Sequence, residues 1–239
     1  MMIFVLFVLG TVAGSVANAV IYRLPRGKSW MRGRSQCPDC EHELSAFDLI
    51  PIFSYLFLRG RCRYCHSPIP IRYLLVELFL GSAFTVSHLS HLSFLSYLII
   101  WVMTVIAVMD WESMLVSDWL VGSWLILVLL SMNYELITMN LLGAAVAAGV
   151  IGGMWVVSKG KAMGSGDIEI AAVMGLMLGW PKIISALWLA FVLGGVYGIW
   201  QLAIGKKKMK SVIPFGPFLI LGTLIAYVWG EKIIRLFFK

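Results

Sequence analysis

Charged side chains are scarce in this chain of 239 residues. Asp, Glu, Lys and Arg together make up 13% of the sequence, whereas hydrophobic residues make up 60% and the mean hydropathy is +0.90. A soluble globular protein has about a quarter charged residues and about half apolar ones. There is also no long polar region to form a large soluble domain. The composition therefore excludes a soluble enzyme and indicates a protein that crosses a membrane several times.

Several common catalytic motifs are also missing. The segment closest to an HExxH metallopeptidase signature, residues 42–46, lacks the second histidine. The sequence contains no GxSxG nucleophile elbow and no phosphate-binding P-loop, and residues 164–169 lack the third glycine of a dinucleotide fingerprint. These absences exclude the common hydrolase and nucleotide-binding classes. They leave acid–base chemistry by carboxylates.

Long apolar runs dominate the rest of the sequence and predict an all-α, polytopic membrane helix bundle of about eight spans. The runs cover roughly residues 2–22, 74–90, 92–109, 119–133, 140–157, 168–180, 183–204 and 212–230. The predicted organisation is a first span at residues 1–22, a small cytosolic loop domain at residues 23–73, and a transmembrane bundle at residues 74–239.

The basic residues predict the orientation of these spans. With the N-terminus outside, most of the 19 Lys and Arg residues fall in inside loops, including the Lys-rich loop at 206–210, and only the C-terminal residues and Lys182 fall outside. The net charge of +7 is then explained by topology and contact with the lipid bilayer. Nucleic-acid binding is not expected.

All four cysteines lie in the polar loop, as the pairs Cys37 with Cys40 and Cys62 with Cys65. Two CxxC pairs at this spacing are typical of a tetrahedral zinc site. Two disulfides are the alternative, which a reducing cytosolic location disfavours. Because four thiolates leave no position for water, the expected zinc is structural rather than catalytic. The histidines next to the pairs could replace one sulfur.

Two aspartates occupy positions where charge is hard to tolerate. Asp110 closes the third apolar run, and Asp167 follows Gly164 and Gly166 in a Gly-Ser-Gly-Asp sequence before the sixth run. A carboxylate in or near hydrocarbon is costly and usually marks a functional site. We expect these two acids to meet across the bundle as one acid–base pair at the cytosolic rim.

The order and spacing of these motifs resemble the type IV prepilin peptidases, a family of GxGD aspartic membrane proteases. The resemblance runs nearly end to end, through residues 14–25, both CxxC pairs, and residues 48–51, 58–62, 72–77 and 164–167. The family's two catalytic aspartates match Asp167 and Asp110, with Asp118 in the trailing position of the second motif. The chain departs from the family pattern at Ser117, where proline is common, and at Glu169, where lysine is frequent.

The resemblance implies an intramembrane aspartic endopeptidase of the bacterial cytoplasmic membrane. Its substrates would be prepilins or pseudopilins, whose basic leader is removed at the cytosolic face. Gly164, Gly166 and Asp118 would support the catalytic loop. Many family members also methylate the new N-terminus with S-adenosylmethionine, although no cofactor fingerprint is visible in this sequence.

An acidic rim could bind the basic leader electrostatically. The candidates are Asp48, Glu77 and Glu112. The alternatives are capping of the zinc loop for Asp48, helix or lipid-interface pairing for Glu77, and a solvated helix cap for Glu112 and Asp118.

Two other classes of function remain open at the level of sequence. A proton- or ion-coupled transporter also uses paired intramembrane acids as a relay. A non-catalytic membrane assembly factor could be organised by the zinc loop alone.

Overall fold

The computed structural model of the chain describes residues 1–161, 163–205 and 213–237. The Lys-rich loop at 206–210, on which part of the predicted orientation depends, lies outside the described residues. The helices within the described ranges are α1 (Met2–Arg23), α2 (Phe53–Phe57), α3 (Arg72–Leu89), α4 (Phe94–Ser113), α5 (Asp118–Ser131), α6 (Ile137–Ser158), α7 (Ser165–Leu178), α8 (Lys182–Ala203) and α9 (Gly216–Phe237).

The predicted all-α fold class is confirmed. Within the described residues there is no named strand, and the only extended pairing consists of two isolated bridges, Gln36 with Glu43 and Arg61 with Pro68. Both bridges lie in the polar loop beside the cysteine pairs.

The predicted count of about eight spans is not confirmed. In the described part of the chain, five helices are long and apolar enough to cross a membrane: α1, α4, α6, α8 and α9. Helices α5 and α7 have 14 residues each. Each is roughly 21 Å long, which is shorter than the ~30 Å hydrocarbon core. The apolar runs that form α5 and α7 are therefore not shown to be full spans.

Glycine and proline set several of the helix ends. Gly160 (φ +71°) follows the last turn of α6, and Gly179 (φ +68°) follows α7. Both have a left-handed backbone that residues with a side chain rarely adopt. Pro181 then precedes α8, where a proline is well tolerated because the first N–H groups of a helix need no partner within it.

The chain divides into two compact units, residues 1–105 and residues 106–239. In the first unit α1 packs closely along α3. A Cβ atom on Gly10 would lie 2.5 Å from the carbonyl oxygen of Leu80, and one on Gly14 would lie 2.6 Å from Cα of Glu77. The two backbones can approach this closely only because neither glycine has a side chain.

In the second unit α7 is the central helix and contacts α5, α6 and α9, while α8 packs along α9. The backbones of α6 and α7 nearly touch, since a Cβ atom on Gly143 would lie 2.5 Å from the carbonyl oxygen of Gly175. Trp124, Ile170 and Met174 are completely buried in this unit. Asp110 and Asp167 also belong to it.

Candidate aspartate site and cysteine cluster

Asp110 lies in the last turn of α4 and is buried, with 6% of its surface exposed. Its Oδ2 atom accepts a hydrogen bond of 3.1 Å from the backbone N–H of Gly216, the first residue of α9. A helix N-terminus carries a partial positive charge and unpaired N–H groups, so this position suits a carboxylate. No motif in the sequence indicates Gly216.

Asp167 is the third residue of α7 and is also 6% exposed. Its Oδ2 atom accepts a hydrogen bond of 3.0 Å from the backbone N–H of Gly164, which caps the helix. The second glycine of the motif has a different role. A Cβ atom on Gly166 would lie 2.7 Å from Cβ of Val116, so the glycine leaves room for the α4–α5 connection. Both glycines thus have a structural reason to accompany Asp167.

The two buried carboxylates have the same arrangement. Each places Oδ2 on a backbone N–H at a helix N-terminus, and within the described residues no hydrogen bond reaches Oδ1 of either aspartate. Asp110 and Asp167 also interact electrostatically with each other. The site therefore brings together two acids that each retain one oxygen for further contacts.

Trp111, the residue that follows Asp110, belongs to a cluster of aromatic side chains. The ring of Trp111 lies 5.1 Å from that of Tyr197 on α8, which in turn lies 5.5 Å from Phe218 on α9. The sequence shows many aromatic residues, but it does not show that these three, which come from α4, α8 and α9, form one cluster.

Three further acids of this unit that lie close to Asp110 or Asp167 in the sequence are more exposed. Asp118 is the first residue of α5, Glu112 lies in the last turn of α4, and Glu169 lies two residues beyond Asp167; all three are exposed. Residues two apart on a helix do not share a face, so the side chains of Glu169 and Asp167 lie on different faces of α7.

Asp48, in the first unit, is fully engaged by its own loop. Its carboxylate accepts hydrogen bonds from the N–H and hydroxyl of Ser45 (3.0 and 2.7 Å), from Nε of Arg63 (2.6 Å) and from the hydroxyl of Tyr64 (3.1 Å). Burial alone would raise the pKa of Asp48, but these hydrogen bonds outweigh it and lower the pKa to about 2. This geometry matches the loop-capping alternative.

Glu77 is buried on α3, with 7% of its surface exposed. Its Oε2 atom accepts a hydrogen bond of 2.8 Å from the backbone N–H of Ile52, the residue that caps α2. The carboxylate thus connects α3 to the polar loop.

The four cysteines converge in the polar loop of the first unit. Their sulfur atoms all lie within 4.8 Å of one another, and all four are free thiols rather than disulfides. Sγ of Cys37 lies 3.8 Å from Sγ of Cys65. Zinc–sulfur bonds of about 2.3 Å in a tetrahedron require sulfur–sulfur distances of about 3.8 Å. The four cysteines therefore could hold a metal ion, and their geometry fits zinc.

The two cysteine turns have the same backbone structure. In each, the N–H four residues after the first cysteine bonds to that cysteine's carbonyl oxygen, at 3.0 Å in both turns. The residue that donates this bond, Glu41 in the first turn and His66 in the second, has a positive φ. The repeat directs two sulfurs from each turn towards a common centre. His42 instead stacks on Tyr64, with ring centroids 3.7 Å apart.

Comparison with known families accounts for both units. Residues 8–91, which include the four cysteines, match the bacterial peptidase A24 N-terminal domain, and residues 97–199, which include both buried aspartates, match the type IV leader peptidase family. A prepilin leader peptidase/N-methyltransferase of Aeromonas hydrophila is 31% identical over 273 residues, covering 96% of this chain and 91% of that protein. The chain belongs to the type IV leader peptidase family.

Other relatives extend the same match. Proteins with the same name from Pseudomonas putida and Bacillus subtilis (strain 168) are 31% and 28% identical, over 95% and 100% of this chain and 90% and 98% of theirs. No solved structure gives a significant match. These relationships do not support the transporter alternative. The predicted resemblance to the prepilin peptidases is confirmed.

Proposed function

We propose that this member of the type IV leader peptidase family is an intramembrane aspartic endopeptidase that removes the basic leader of type IV prepilins or pseudopilins. Its relatives are named for this activity. The structural observation that carries the proposal is the pair Asp110 and Asp167, both buried in one unit and each accepting a hydrogen bond at Oδ2 from a backbone N–H at the start of a helix. Acids at such positions are costly to bury and need a functional reason.

The mechanism follows from the repulsion between the two acids. Two carboxylates close together in a poorly solvated site cannot easily both ionise, so the pair holds one proton between them. The ionised acid takes a proton from the attacking water, and the protonated acid donates a hydrogen bond to the scissile carbonyl oxygen. Protons then pass to the leaving amine. Since the two acids titrate as a pair, the roles belong to the pair and not to either residue.

The backbone hydrogen bonds to Asp110 and Asp167 support this mechanism. Gly216 and Gly164 each donate to Oδ2 of an aspartate, which fixes the plane of the carboxylate. The Oδ1 atoms of the two aspartates are the ones we propose for contact with water and substrate. Gly166 and Asp118 contribute to the surrounding loop, the former by giving space to Val116.

For recognition of the basic leader we propose Glu112, an exposed acid in the last turn of α4, two residues beyond Asp110. An exposed carboxylate near the site of cleavage attracts a basic peptide over several ångströms. Asp48 and Glu77 lie in the first unit, where their carboxylates accept hydrogen bonds from the polar loop.

Zinc is the metal proposed for the four cysteines. Bound there, it would join the two cysteine turns and stabilise a loop that is too small to form its own apolar core. We also propose S-adenosylmethionine-dependent methylation of the new N-terminus. Support for this second activity comes from the N-methyltransferase part of the relatives' names.

The proposed location is the bacterial cytoplasmic membrane, with the cysteine loop and the two aspartates on the cytosolic side. The five apolar helices and the bacterial relatives support a multi-pass membrane protein. The excess of Lys and Arg in the loop between α1 and α3 supports the sidedness.

Leader cleavage by the purified chain in detergent tests the function. A synthetic prepilin with its basic leader and apolar helix is incubated with the protein, and the products are identified by mass spectrometry. We expect a single cut at the end of the leader. An intact substrate under conditions where the protein remains folded would rule out the peptidase and favour the assembly factor.

A further inference from the structure

The start of α9 lies directly against the carboxylate of Asp110, although 106 positions separate Asp110 from Gly216 in the chain. Gly216 is buried, and its N–H donates to Oδ2. This contact lies beyond residue 199, where the match to the family's peptidase domain ends. None of the sequence motifs includes it.

The absence of a side chain at residue 216 is essential to this contact. A Cβ atom there would lie 2.7 Å from Oδ2 and 3.3 Å from Cγ of Asp110, and 3.3 Å from Cδ1 of Ile170. Atoms at the first of these distances overlap, so either the carboxylate or the helix would have to move. Ile170 is itself completely buried and cannot easily give way.

Packing of the preceding residue fixes the position of the Gly216 N–H group. The carbonyl oxygen of Phe215 accepts the first hydrogen bonds of α9, from Phe218 and Leu219. The ring of Phe215 packs against Phe191 on α8, with centroids 5.3 Å apart, and lies over Gly194. The N-terminus of α9 is therefore held against α8 while its first N–H points at Asp110.

We propose that Gly216 is a positioning residue for Asp110: its N–H fixes Oδ2 of the carboxylate, and its missing side chain leaves the space that the carboxylate occupies. The inference rests on the proposed catalytic role of Asp110. It predicts that a single methyl group at residue 216 displaces the acid without removing any reacting atom. Displacements of about 1 Å in an active site can lower a rate about 100-fold.

A thermal double-mutant cycle tests the contact without any activity measurement. The full chain in detergent is compared with Gly216→Ala, Asp110→Ala and the double variant. We expect Gly216→Ala to lower the Tm by several degrees, as overpacking does. In the Asp110→Ala background, Gly216→Ala should lower the Tm by less than about half as much. The substitution of Asp110 removes Oδ2 and Cγ, two of the three atoms nearest to the new Cβ. An equal fall in Tm on Gly216→Ala in the wild-type and Asp110→Ala backgrounds would overturn the proposal.

Leader cleavage tests the consequence for catalysis. We expect Gly216→Ala to lower kcat by about 10- to 100-fold while KM changes less than about twofold, because the substrate still binds but the acid is displaced. Gly222→Ala is the matched control for a defect elsewhere in α9, since its Cβ would lie 2.5 Å from the carbonyl oxygen of Ala186. Gly195→Ala, with open space around the new Cβ, controls for the substitution itself.

The outcomes separate the two proposals. A comparable fall in kcat in Gly222→Ala, corrected for the folded fraction, would show that the effect is general to α9 and overturn the positioning role. If the wild-type chain does not cut prepilin, the peptidase proposal fails, and the thermal cycle still decides whether Gly216 and Asp110 are coupled.

Discussion

The backbone N–H of Ile52 donates a hydrogen bond of 2.8 Å to the buried carboxylate of Glu77. Ile52 has a positive φ of 65°, and the N–H of Phe53 bonds to the carbonyl oxygen of Pro51 across it at 2.7 Å. This tight turn is strained for a β-branched residue, so an external partner is needed to maintain it. Glu77 supplies that partner from α3 and thereby anchors the polar loop.

The first prediction concerns this anchor. Glu77→Ala leaves the N–H of Ile52 without a partner and should cost about 1–3 kcal/mol of stability. Glu77→Gln keeps an acceptor oxygen and should retain most of it. Thermal unfolding in detergent measures both. If Glu77 instead serves only to bind the basic leader, both variants will raise KM for a prepilin and leave the Tm unchanged.

The second prediction concerns the aspartate pair. Asp110→Asn and Asp167→Asn keep the size of each side chain but remove its acid–base function, so each should lower the rate of leader cleavage by at least about 100-fold. Glu169→Gln is the matched control, because it removes an exposed carboxylate two residues from Asp167. Cleavage at the wild-type rate by either asparagine variant would exclude that residue from the catalytic pair.

The sequence shows which residues are candidates for catalysis and metal binding, but it does not show which groups lie against them in space. Asp110, Asp167 and the four cysteines stand out because charge and thiols are rare in so apolar a chain, and rarity requires no knowledge of the fold. Gly216 could not be found in this way. Its contribution is a backbone N–H, which every residue except proline possesses, and its partner lies 106 positions away.

The number of spans does not follow from the sequence alone for a related reason. An apolar run indicates that a segment is removed from water. Segments buried inside a protein and segments buried in lipid are both rich in apolar residues, so composition does not distinguish them. Helices α5 and α7 are apolar but only 14 residues long. Asp48 and Glu77 illustrate the same limit for charged residues, because the sequence identifies an acid but not the donors that already bind it.

The third prediction follows from the pKa of Asp48, which its hydrogen bonds lower from 3.8 to about 2. A carboxyl with a lowered folded-state pKa contributes stability that is present above the unfolded-state value and lost as the pH falls towards the folded-state value. The Tm difference between wild type and Asp48→Asn should therefore be constant from pH 7 to about pH 5 and shrink between about pH 4 and pH 2.

Zinc content must be followed in the same samples, because acid also protonates thiolates and releases the metal. A Tm difference that disappears above about pH 5 while zinc is retained would contradict the assignment of these hydrogen bonds. Arg63→Gln removes one of the donors to Asp48. In that background, Asp48→Asn should lower the Tm at pH 7 by less than it does in the wild-type chain.

The last prediction concerns the cysteine cluster. The purified chain should contain one zinc ion per molecule, and Cys37→Ser or Cys62→Ser should abolish binding, because these two buried cysteines begin the two turns. Metal analysis by mass spectrometry gives the stoichiometry. Loss of zinc should expose the polar loop to limited proteolysis between α1 and α3, since binding of a structural zinc ion contributes directly to the stability of the fold that holds it. His66→Ala, which changes a neighbouring histidine but no sulfur, should retain zinc, and its loss in that variant would make His66 a ligand and the four-cysteine site incorrect.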